Sequence, residues 1–376
     1  MSTGEAVTPP GTLDTVLGRY RSLLGDALLQ AIRDARASTP AAPSTTQLLD
    51  TFYGQIEYHH GWRTPDLRAK TWHPGKLLRP TLVLLASELA AGTVAREPQA
   101  AVHRAIPVAL AVELVHNFSL VHDDIEDGDE ERHHQPTLWK LWGIPQAINT
   151  GDGIFAMAHL QLSYLRERGV PADTILSIAA RLDRTCLALC EGQYLDMSFE
   201  GRHDVTVAMY LDMIGRKTAA LMDCAAHAGS LIGAPSDAML GERLGAFGCA
   251  LGMGFQVRDD MLGIWSAVAL GKTEAGDLRQ KKMSLPVIFA LEHATPDDHR
   301  TLTAIYDEPG PAAEPQIAAL LAVLERTRAR ERTRAMLRQY CHQARSILDD
   351  TCASANAPDA CAALGTILDF VAAEGI

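Results

Sequence analysis

Apolar residues recur every three or four positions through long stretches of this 376-residue chain, and no long stretch alternates strictly between apolar and polar residues. Spacing of this kind places the apolar side chains on one face of an α-helix, whereas a strand needs a period of two. The clearest stretches are residues 82–89, 108–121, 175–195 and 209–231. Segments rich in Pro and Gly separate them. We therefore predict an all-α protein of about a dozen helices.

The composition limits what the chain can bind and where it can reside. With a formal net charge of −12, it lacks the excess of Lys and Arg on which nucleic-acid binding depends. Its longest apolar runs, such as residues 244–255, are too short to span a bilayer. Its start lacks the basic and apolar segments of a signal peptide. We predict a cytoplasmic protein with no nucleic-acid partner and no membrane span.

The organisation along the chain is simple. Residues 1–12 are rich in Ser, Thr, Gly and Pro and are predicted to be a disordered tail, and residues 13–376 are predicted to form a single all-α domain. Residues 296–316, rich in Asp, Pro and Gly, are predicted to be a loop. The seven cysteines form no CxxC pair, so we expect reduced thiols on apolar helix faces.

The first acidic cluster is Asp123-Asp124-Ile125-Glu126-Asp127, at the end of a strongly apolar helical run. Asp123 and Asp127 are one helical turn apart, so both carboxylates project from one face. Like charges at this spacing destabilise a helix, and the helix dipole disfavours anions at its C-terminal end. The alternatives are a solvated acidic helix end or neutralisation by a cation. Mg²⁺ fits the second, because it takes oxygen ligands and also accepts phosphate oxygens.

A second acidic pair, Asp259-Asp260, also ends an apolar helical stretch. Two carboxylate pairs on separate helices of one all-α chain are more specific than one. If they face each other across a cavity, they can hold metal ions that neutralise a diphosphate and make it a good leaving group.

The basic residues form a third set. Lys76 and Arg79 lie one turn apart and can reach the same anion. Taken singly, the later cations are more typical of solvated surface charges than of a site. They are Arg132, Lys217, Lys272 and Lys282.

From about residue 51 to residue 370 the chain resembles the trans-isoprenyl diphosphate synthases, or polyprenyl synthetases. The motifs that carry the resemblance occur in the family's order: GKxxRP at 75–80, DDxxD at 123–127 with its approach from His116, PT at 136–137, GD at 151–152, GQxxD at 192–196, KT at 217–218, FQxxDD at 255–260, and the closing GK, DL, K and LP at 271–286. The resemblance implies one large helical bundle around a central cavity, the isoprenoid synthase fold, and a homodimer.

The resemblance also implies roles for the matching residues in joining isopentenyl diphosphate to an allylic diphosphate. Three Mg²⁺ ions per active site would be held by Asp123, Asp124, Asp127 and Asp259, with Asp260 beside them. The allylic diphosphate would be contacted by Arg132, Lys217, Lys272 and Lys282. The reacting end would be lined by Thr218 and Gln256. The diphosphate of isopentenyl diphosphate would be held by Lys76, Arg79 and His116.

The chain departs from the family pattern at three places. The second acidic motif has Gly263 where an aspartate is usual, so one carboxylate is missing. The RRG that follows the first motif reads Arg132-His133-His134, so the second arginine, expected to hold isopentenyl diphosphate, is His133. Histidine is only partly charged near neutral pH. The run from Tyr58 to Trp62 matches no motif, and its histidine pair is more typical of a structural role than of a ligand.

Product length is expected to depend on the residues under Asp123. Phe118 is bulky and Ser119 is one turn below Asp123, an arrangement that would stop chain growth early. Geranylgeranyl diphosphate is the expected product, and farnesyl diphosphate is the alternative. A noncatalytic partner subunit is a further alternative, favoured by His133 and Gly263. A class I terpene cyclase would lack GKxxRP and would carry a different second motif.

Overall fold

The structure, a computed structural model, describes residues 12–71, 75–269 and 275–373. Within these ranges the chain forms sixteen α-helices, one π-helical segment and one two-stranded hairpin, so the all-α prediction is confirmed. The predicted tail falls outside the described residues except for Thr12. The side chain of Thr12 caps α1 by accepting a hydrogen bond from the backbone N–H of Thr15 at 3.3 Å.

The elements follow one another along the chain with short connections. They are α1 (Leu13–Ser38), α2 (Thr46–His59), α3 (Leu78–Thr93), α4 (Pro98–Glu126), β1 (Glu131–Arg132), β2 (Gln135–Pro136), α5 (Leu138–Trp142), α6 (Ile144–Ser163), α7 (Ala172–Phe199), α8 (Val207–Ile214), the π-helical segment (Gly215–Ala219), α9 (Ala220–Gly233), α10 (Ala238–Ala269), α11 (Gly276–Arg279), α12 (Leu285–His293), α13 (Pro296–Asp307), α14 (Glu314–Arg326), α15 (Ala329–Cys352) and α16 (Pro358–Ala372).

Backbone packing divides the chain into two compact units, each assembled from three separate stretches. Unit 1 comprises Met1–Asp183, Cys224–Glu242 and Cys352–Thr366. Unit 2 comprises Arg184–Asp223, Arg243–Thr351 and Ile367–Ile376. The single domain at residues 13–376 stays a prediction.

In unit 1, α4 packs against both α3 and α6. Two glycines of α9 let that helix approach the backbone of α3 closely. A Cβ added at Gly229 would lie 2.3 Å from the carbonyl oxygen of Val83, and one at Gly233 would lie 2.3 Å from that of Ser87. Any larger residue would force the helices apart, which is typically destabilising by about 1–3 kcal/mol.

A buried carboxylate joins α1 to α3. Glu88 accepts hydrogen bonds from the hydroxyl of Tyr20 at 2.6 Å and from Nη2 of Arg19 at 2.9 Å. Because a buried charge is costly unless it is paired, these two donors explain how a glutamate can lie inside an otherwise apolar helix.

Among the described residues, α4 is the one helix long and apolar enough to cross a membrane by length and composition. Its most apolar window is 72% buried inside the protein. The apolar character of α4 is therefore accounted for by its position in the core of unit 1.

In unit 2, α10 is held on two sides. A Cβ added at Gly252 would lie 2.7 Å from the Cα of Ala219, so a small residue is needed where α10 meets the π-helical segment. One turn and a half further along, Arg258 donates from Nε to the carbonyl oxygen of Ala373 at 3.0 Å, and its guanidinium lies 4.4 Å from the ring centroid of Phe370.

The loop prediction for residues 296–316 is wrong at both ends, because Pro296–Asp307 is α13 and α14 begins at Glu314; only residues 308–313 are a loop. Thr295 caps this helix by accepting from the N–H of Asp298 at 3.2 Å, and Pro296 occupies the first turn. The acidic residues and the proline were therefore helix-start signals.

The expectation of reduced cysteines is wrong for one pair. Cys352, the last residue of α15, is bonded to Cys361 in α16, with the two Cα atoms 5.9 Å apart. The expectation of apolar surroundings also fails at Cys190, which is exposed, whereas Cys186, Cys224 and Cys341 are buried.

Candidate active site

The first acidic cluster ends α4 as predicted, and its carboxylates differ in exposure. Asp123 is half-buried, Asp124 is buried and Asp127 is exposed. The N–H of Asp127 donates to the carbonyl oxygen of Asp123 at 2.8 Å, so the last helical turn is intact. Asp124 Oδ1 accepts from Arg132 Nε at 2.7 Å. Burial raises the pKa of Asp124, and the guanidinium of Arg132 offsets this only in part.

Arg132 is positioned by a hairpin. β1 pairs antiparallel with β2, and the two residues between them, His133 and His134, have φ of 52° and 60°. Two left-handed residues in a row are typical of the tightest hairpin turns. The turn leaves His133 exposed. Its contact with isopentenyl diphosphate, and that of Arg132 with the allylic diphosphate, stay predictions.

The predicted isopentenyl diphosphate residues lie in unit 1 at the start of α3 and within α4. Nη1 of Arg79 is 3.0 Å from Nε2 of His116. Because a guanidinium can only donate, Nε2 of His116 is the acceptor and its ring proton is on Nδ1. Burial and the charges of Arg79 and Arg132 hold the pKa of His116 well below its usual range. Lys76 is exposed just before α3.

Two residues that the sequence did not single out adjoin this pair. Asn117 donates from Nδ2 to the carbonyl oxygen of Glu113 at 2.8 Å and to its Oε1 at 3.1 Å. Burial raises the pKa of Glu113 to about 7, and the charge of Arg79 offsets that rise in part. The local sequence offered only the one-turn spacing from Glu113 to Asn117 as a signal.

The unassigned run from Tyr58 to Trp62 now has a partial structural explanation. The hydroxyl of Tyr58 donates to the carbonyl oxygen of Pro136 in β2 at 2.7 Å, and its ring packs edge-on against Trp142. His60 stacks on the buried Trp62 with ring centroids 5.7 Å apart. These contacts fix the end of α2 against the hairpin that carries Arg132.

The predicted chain-length residues lie on α4 as expected. Phe118 is buried, and its ring packs edge-on against Phe155 of α6 with centroids 4.9 Å apart. Ser119 is half-buried and donates to the carbonyl oxygen of His116 at 2.8 Å. Phe155 was not predicted; its one signal in the sequence was its position one turn after the GD motif.

The second acidic pair lies in unit 2 on α10, and its two carboxylates differ more strongly in exposure to solvent than those of the first cluster. Asp259 is exposed, whereas Asp260 is buried. Asp260 accepts from the hydroxyl of Tyr210 at 2.5 Å, from Nε2 of Gln256 at 3.0 Å and from the N–H of Leu285 at 3.1 Å. Burial raises the pKa of Asp260 to about 7, and the three donors oppose that rise.

A chain of hydrogen bonds joins the π-helical segment to this carboxylate. The hydroxyl of Thr218 donates to Oε1 of Gln256 at 3.0 Å, and Gln256 donates in turn to Asp260. Asp260 therefore fixes the amide of Gln256, and Gln256 fixes Thr218. The structure thus brings together three of the predicted residues within unit 2.

Lys217 in the same segment pairs with Asp196 of α7, with Nζ 2.5 Å from Oδ2. Glycine at 192 makes this possible, because a Cβ there would lie 2.4 Å from the backbone N of Lys217. The contact between α7 and the π-helical segment therefore explains both the glycine and the aspartate of the GQxxD motif. π-Helical segments often occur at functional sites.

Gly263, the departure in the second motif, has a steric reason. A Cβ at this position would lie 2.1 Å from Oδ2 of Asp277. The carboxylate of Asp277 therefore occupies the space that a side chain at 263 would enter. Lys282 is exposed, and its charge acts on Asp277, opposing the increase in the pKa of Asp277 that burial causes. Lys272 lies outside the described residues.

The donor chemistry of both clusters fits Mg²⁺, because all the ligands available are carboxylate oxygens. In the described part of the chain, no group of three or more His, Cys, Asp or Glu residues is arranged to hold a metal ion. Mg²⁺ usually takes one or two carboxylates and completes its shell with water and substrate phosphates. The two clusters lie in different units, and their convergence on shared ions stays a prediction.

Comparisons with known proteins give a consistent result. A sequence profile described as polyprenyl synthetase matches residues 67–324. The chain is 38% identical over 302 residues to a geranylgeranyl diphosphate synthase of Mycobacterium tuberculosis (strain ATCC 25618 / H37Rv), covering 79% of this chain and 81% of that protein. It is 40% identical over 275 residues to a (2E,6E)-farnesyl diphosphate synthase of Mycobacterium bovis, covering 72% of each. The crystal structure of a polyprenyl synthetase from Streptomyces coelicolor A3(2) matches with a TM-score of 0.79 at 34% identity, covering 96% of this chain and 99% of that chain.

Proposed function

This chain belongs to the polyprenyl synthetase family and has its all-α isoprenoid synthase fold, and from that premise we propose that it makes geranylgeranyl diphosphate from isopentenyl diphosphate and allylic diphosphates. It is a short-chain prenyltransferase. The observation that carries the proposal is the match to the family over residues 67–324, with relatives named as geranylgeranyl and farnesyl diphosphate synthases at 38–40% identity.

The reaction begins when the carbon–oxygen bond of the allylic diphosphate breaks, leaving an allylic cation and diphosphate. Bound Mg²⁺ supplies the charge that makes diphosphate a leaving group. Asp123, Asp124, Asp127 and Asp259 are the carboxylates proposed to hold it, with Asp260 beside them; Asp124 also accepts from Arg132 and Asp260 from Tyr210. Arg132, Lys217, Lys272 and Lys282 are proposed to contact the allylic diphosphate.

The second substrate is proposed to bind through its diphosphate to Lys76, Arg79 and His116. The alkene of isopentenyl diphosphate then attacks the cation, a carbon–carbon bond forms and a proton leaves, with the departed diphosphate as its proposed acceptor. Thr218 and Gln256, fixed by Asp260, are proposed to line the reacting end. Water would quench the cation, so apolar walls around it are proposed to exclude water.

The edge-on pair of Phe118 and Phe155 supports a short product, because Phe118 lies about a turn and a half before Asp123 on α4 and two packed rings there would limit the depth open to a growing chain. We propose twenty carbons as the end point. Farnesyl diphosphate, with fifteen, stays the alternative, since relatives with each name have similar identity.

The test is turnover by the purified protein with isopentenyl diphosphate, Mg²⁺ and each allylic primer in turn. We expect geranylgeranyl diphosphate by chromatography, and no product when a chelator removes the metal. Accumulation of farnesyl diphosphate would establish the alternative product. No turnover alone, but stimulation of a separate catalytic chain, would establish the noncatalytic subunit and overturn the proposal.

Assembly and location are further parts of the proposal. We propose a cytoplasmic homodimer. Light scattering during size-exclusion chromatography is expected to give twice the chain mass of 40.7 kDa. A mass equal to that of one chain would contradict the homodimer.

A further inference from the structure

His59, the last residue of α2, lies among the cations of unit 1 but belongs to none of the matched motifs. Its neighbours hold it in place. Tyr58 is anchored to Pro136, and Nδ1 of His60 is 2.9 Å from the carbonyl oxygen of Ile56. The end of α2 is therefore fixed before any ligand binds, as a binding residue requires.

The surroundings of His59 identify the group of which it is part. It interacts with Arg132 and Asn117, and His116 is in turn influenced by His59, Arg79 and Arg132. With Arg79 and His116 in direct contact at 3.0 Å, these residues form one cluster, which we call the cation cluster: His59, Arg79, His116 and Arg132.

One nitrogen of the cation cluster, Nε2 of His59, lacks a well-formed hydrogen bond. This nitrogen is shielded from solvent and has no hydrogen-bond partner of normal geometry among the described residues, although Asn117 lies near enough to the ring to oppose part of the fall in its pKa. Leaving a buried polar atom unsatisfied typically costs about 1–3 kcal/mol. A polar ligand that reaches Nε2 would remove that cost.

The charge of the cation cluster indicates which kind of ligand it would bind. Arg79 and Arg132 are permanently cationic. Burial, together with the charge of Arg132, holds the pKa values of His59 and His116 well below the usual range, and Arg79 adds to the effect at His116. Glu113 brings less negative charge than usual, because burial raises its pKa to about 7. Asp124 pairs with Arg132, and burial raises the pKa of that carboxyl as well. The cluster therefore favours an anion of high charge.

We infer that His59 is a further binding residue for the diphosphate of isopentenyl diphosphate, donating from Nε2 beside Arg79 and His116. This inference rests on the proposed function. His133, the residue at the position where the resemblance predicted a second arginine, is exposed in the hairpin turn. His59 supplies a donor from α2 instead.

The test compares wild type with His59→Phe, which keeps a ring of similar shape without polar atoms, and with His59→Gln, which keeps a donor. The control is His103→Phe, at an exposed position on α4. Steady-state kinetics give KM for isopentenyl diphosphate and for the allylic primer separately. Calorimetry gives the affinity for isopentenyl diphosphate directly, and circular dichroism verifies that each variant is folded.

For His59→Phe we expect KM and Kd for isopentenyl diphosphate to rise about tenfold or more, as for a lost hydrogen bond to a charged group, while KM for the allylic primer is unchanged. His59→Gln should retain most of the affinity, and His103→Phe all of it. A purely structural role would alter both substrates together.

The two proposals fail separately. Wild-type turnover with unchanged KM and Kd for isopentenyl diphosphate in His59→Phe would overturn the inference and leave the function standing. No wild-type turnover, with affinity that still falls in His59→Phe, would overturn the function and leave the binding role standing. No binding of isopentenyl diphosphate by folded wild type would overturn the inference directly.

Discussion

Glu113 is a carboxyl group inside an apolar helix, held by Asn117 and close to Arg79. Burial raises its pKa in the folded state from the ordinary value of 4.5 to about 7. In the unfolded chain the group loses its proton at lower pH, so the folded state binds protons more tightly. Its contribution to stability is complete below about pH 4.5 and is lost as the pH rises through 7.

We therefore expect Glu113→Gln, which cannot ionise, to lose less stability than wild type between pH 4.5 and pH 8. Because Glu113 is only half-buried, the difference should be about 1–2 kcal/mol. Urea unfolding of both proteins at a series of pH values measures it. Parallel curves would show that Glu113 has an ordinary pKa.

Phe118 is the residue on which the product-length proposal depends. Replacing it with alanine removes the ring that packs against Phe155 and opens the space beneath the first acidic cluster. We expect Phe118→Ala to yield longer products by chromatography. Phe370→Ala, which also removes an aromatic ring, serves as control and should leave product length unchanged. Wild-type products from Phe118→Ala would remove Phe118 as the limit to growth.

The sequence predicted the chemical type of most site residues but not their individual environments. Asp123 and Asp124 are adjacent in one motif, yet the second is buried against Arg132 and the first is not. Asp259 and Asp260 differ in the same way. Burial and pairing depend on residues far along the chain, such as Tyr210 and Leu285, whose proximity no local pattern reveals.

At the scale of secondary structure, the hairpin that carries Arg132 includes a residue poorly suited to its backbone. His134 has φ of 60°, which costs a residue with a side chain about 1–2 kcal/mol but costs glycine little. We expect His134→Gly to raise the free energy of unfolding by about 1 kcal/mol. The same change at His103, inside α4, should lower it by a similar amount. Urea denaturation measures both, and a loss at His134 would contradict the turn geometry.

The contact between α7 and the π-helical segment depends on Gly192. A methyl group there would lie 2.4 Å from the backbone N of Lys217, so Gly192→Ala must move the segment that carries Lys217 and Thr218. We expect a loss of about 1–3 kcal/mol in stability and a clear fall in turnover.

Gly18→Ala is the matched control. Gly18 lies inside α1, and a Cβ there meets nothing within 4 Å. This change should stabilise the protein by about 0.5–1 kcal/mol with turnover unchanged. Equal effects from the two substitutions in thermal unfolding would contradict the close approach at Gly192.

Apolar spacing predicts most of the helices, whereas composition alone predicts a loop for the Asp- and Pro-rich segment after Thr295. The order of its residues explains the helix found there, because a threonine followed by proline and two acids is a helix start. The π-helical segment at Gly215–Ala219 was not predicted, because one extra residue in a turn leaves the local apolar pattern almost unchanged.

For the whole molecule, the disulfide between Cys352 and Cys361 predicts how many thiols can be titrated. Five cysteines lie outside this disulfide: Cys186, Cys190, Cys224, Cys249 and Cys341. Thiol titration in denaturant without reductant is therefore expected to find five thiols, and seven after reduction. Seven without reductant would show that the pair is reduced. Spacing along the chain could not predict the bond, because it depends on how α15 and α16 meet.

Unit 1 is completed by residues that are synthesised late. Asn356 donates from its N–H to the carbonyl oxygen of Gly92 at 3.1 Å, so the stretch Cys352–Thr366 docks on the end of α3. At typical translation rates, roughly 10–30 seconds separate residue 183 from residue 352 on the ribosome. During that interval the end of α3 lacks part of its covering. Chaperones that shield nascent chains should therefore improve the yield of folded enzyme, and a transcript that stops before codon 352 should give insoluble protein.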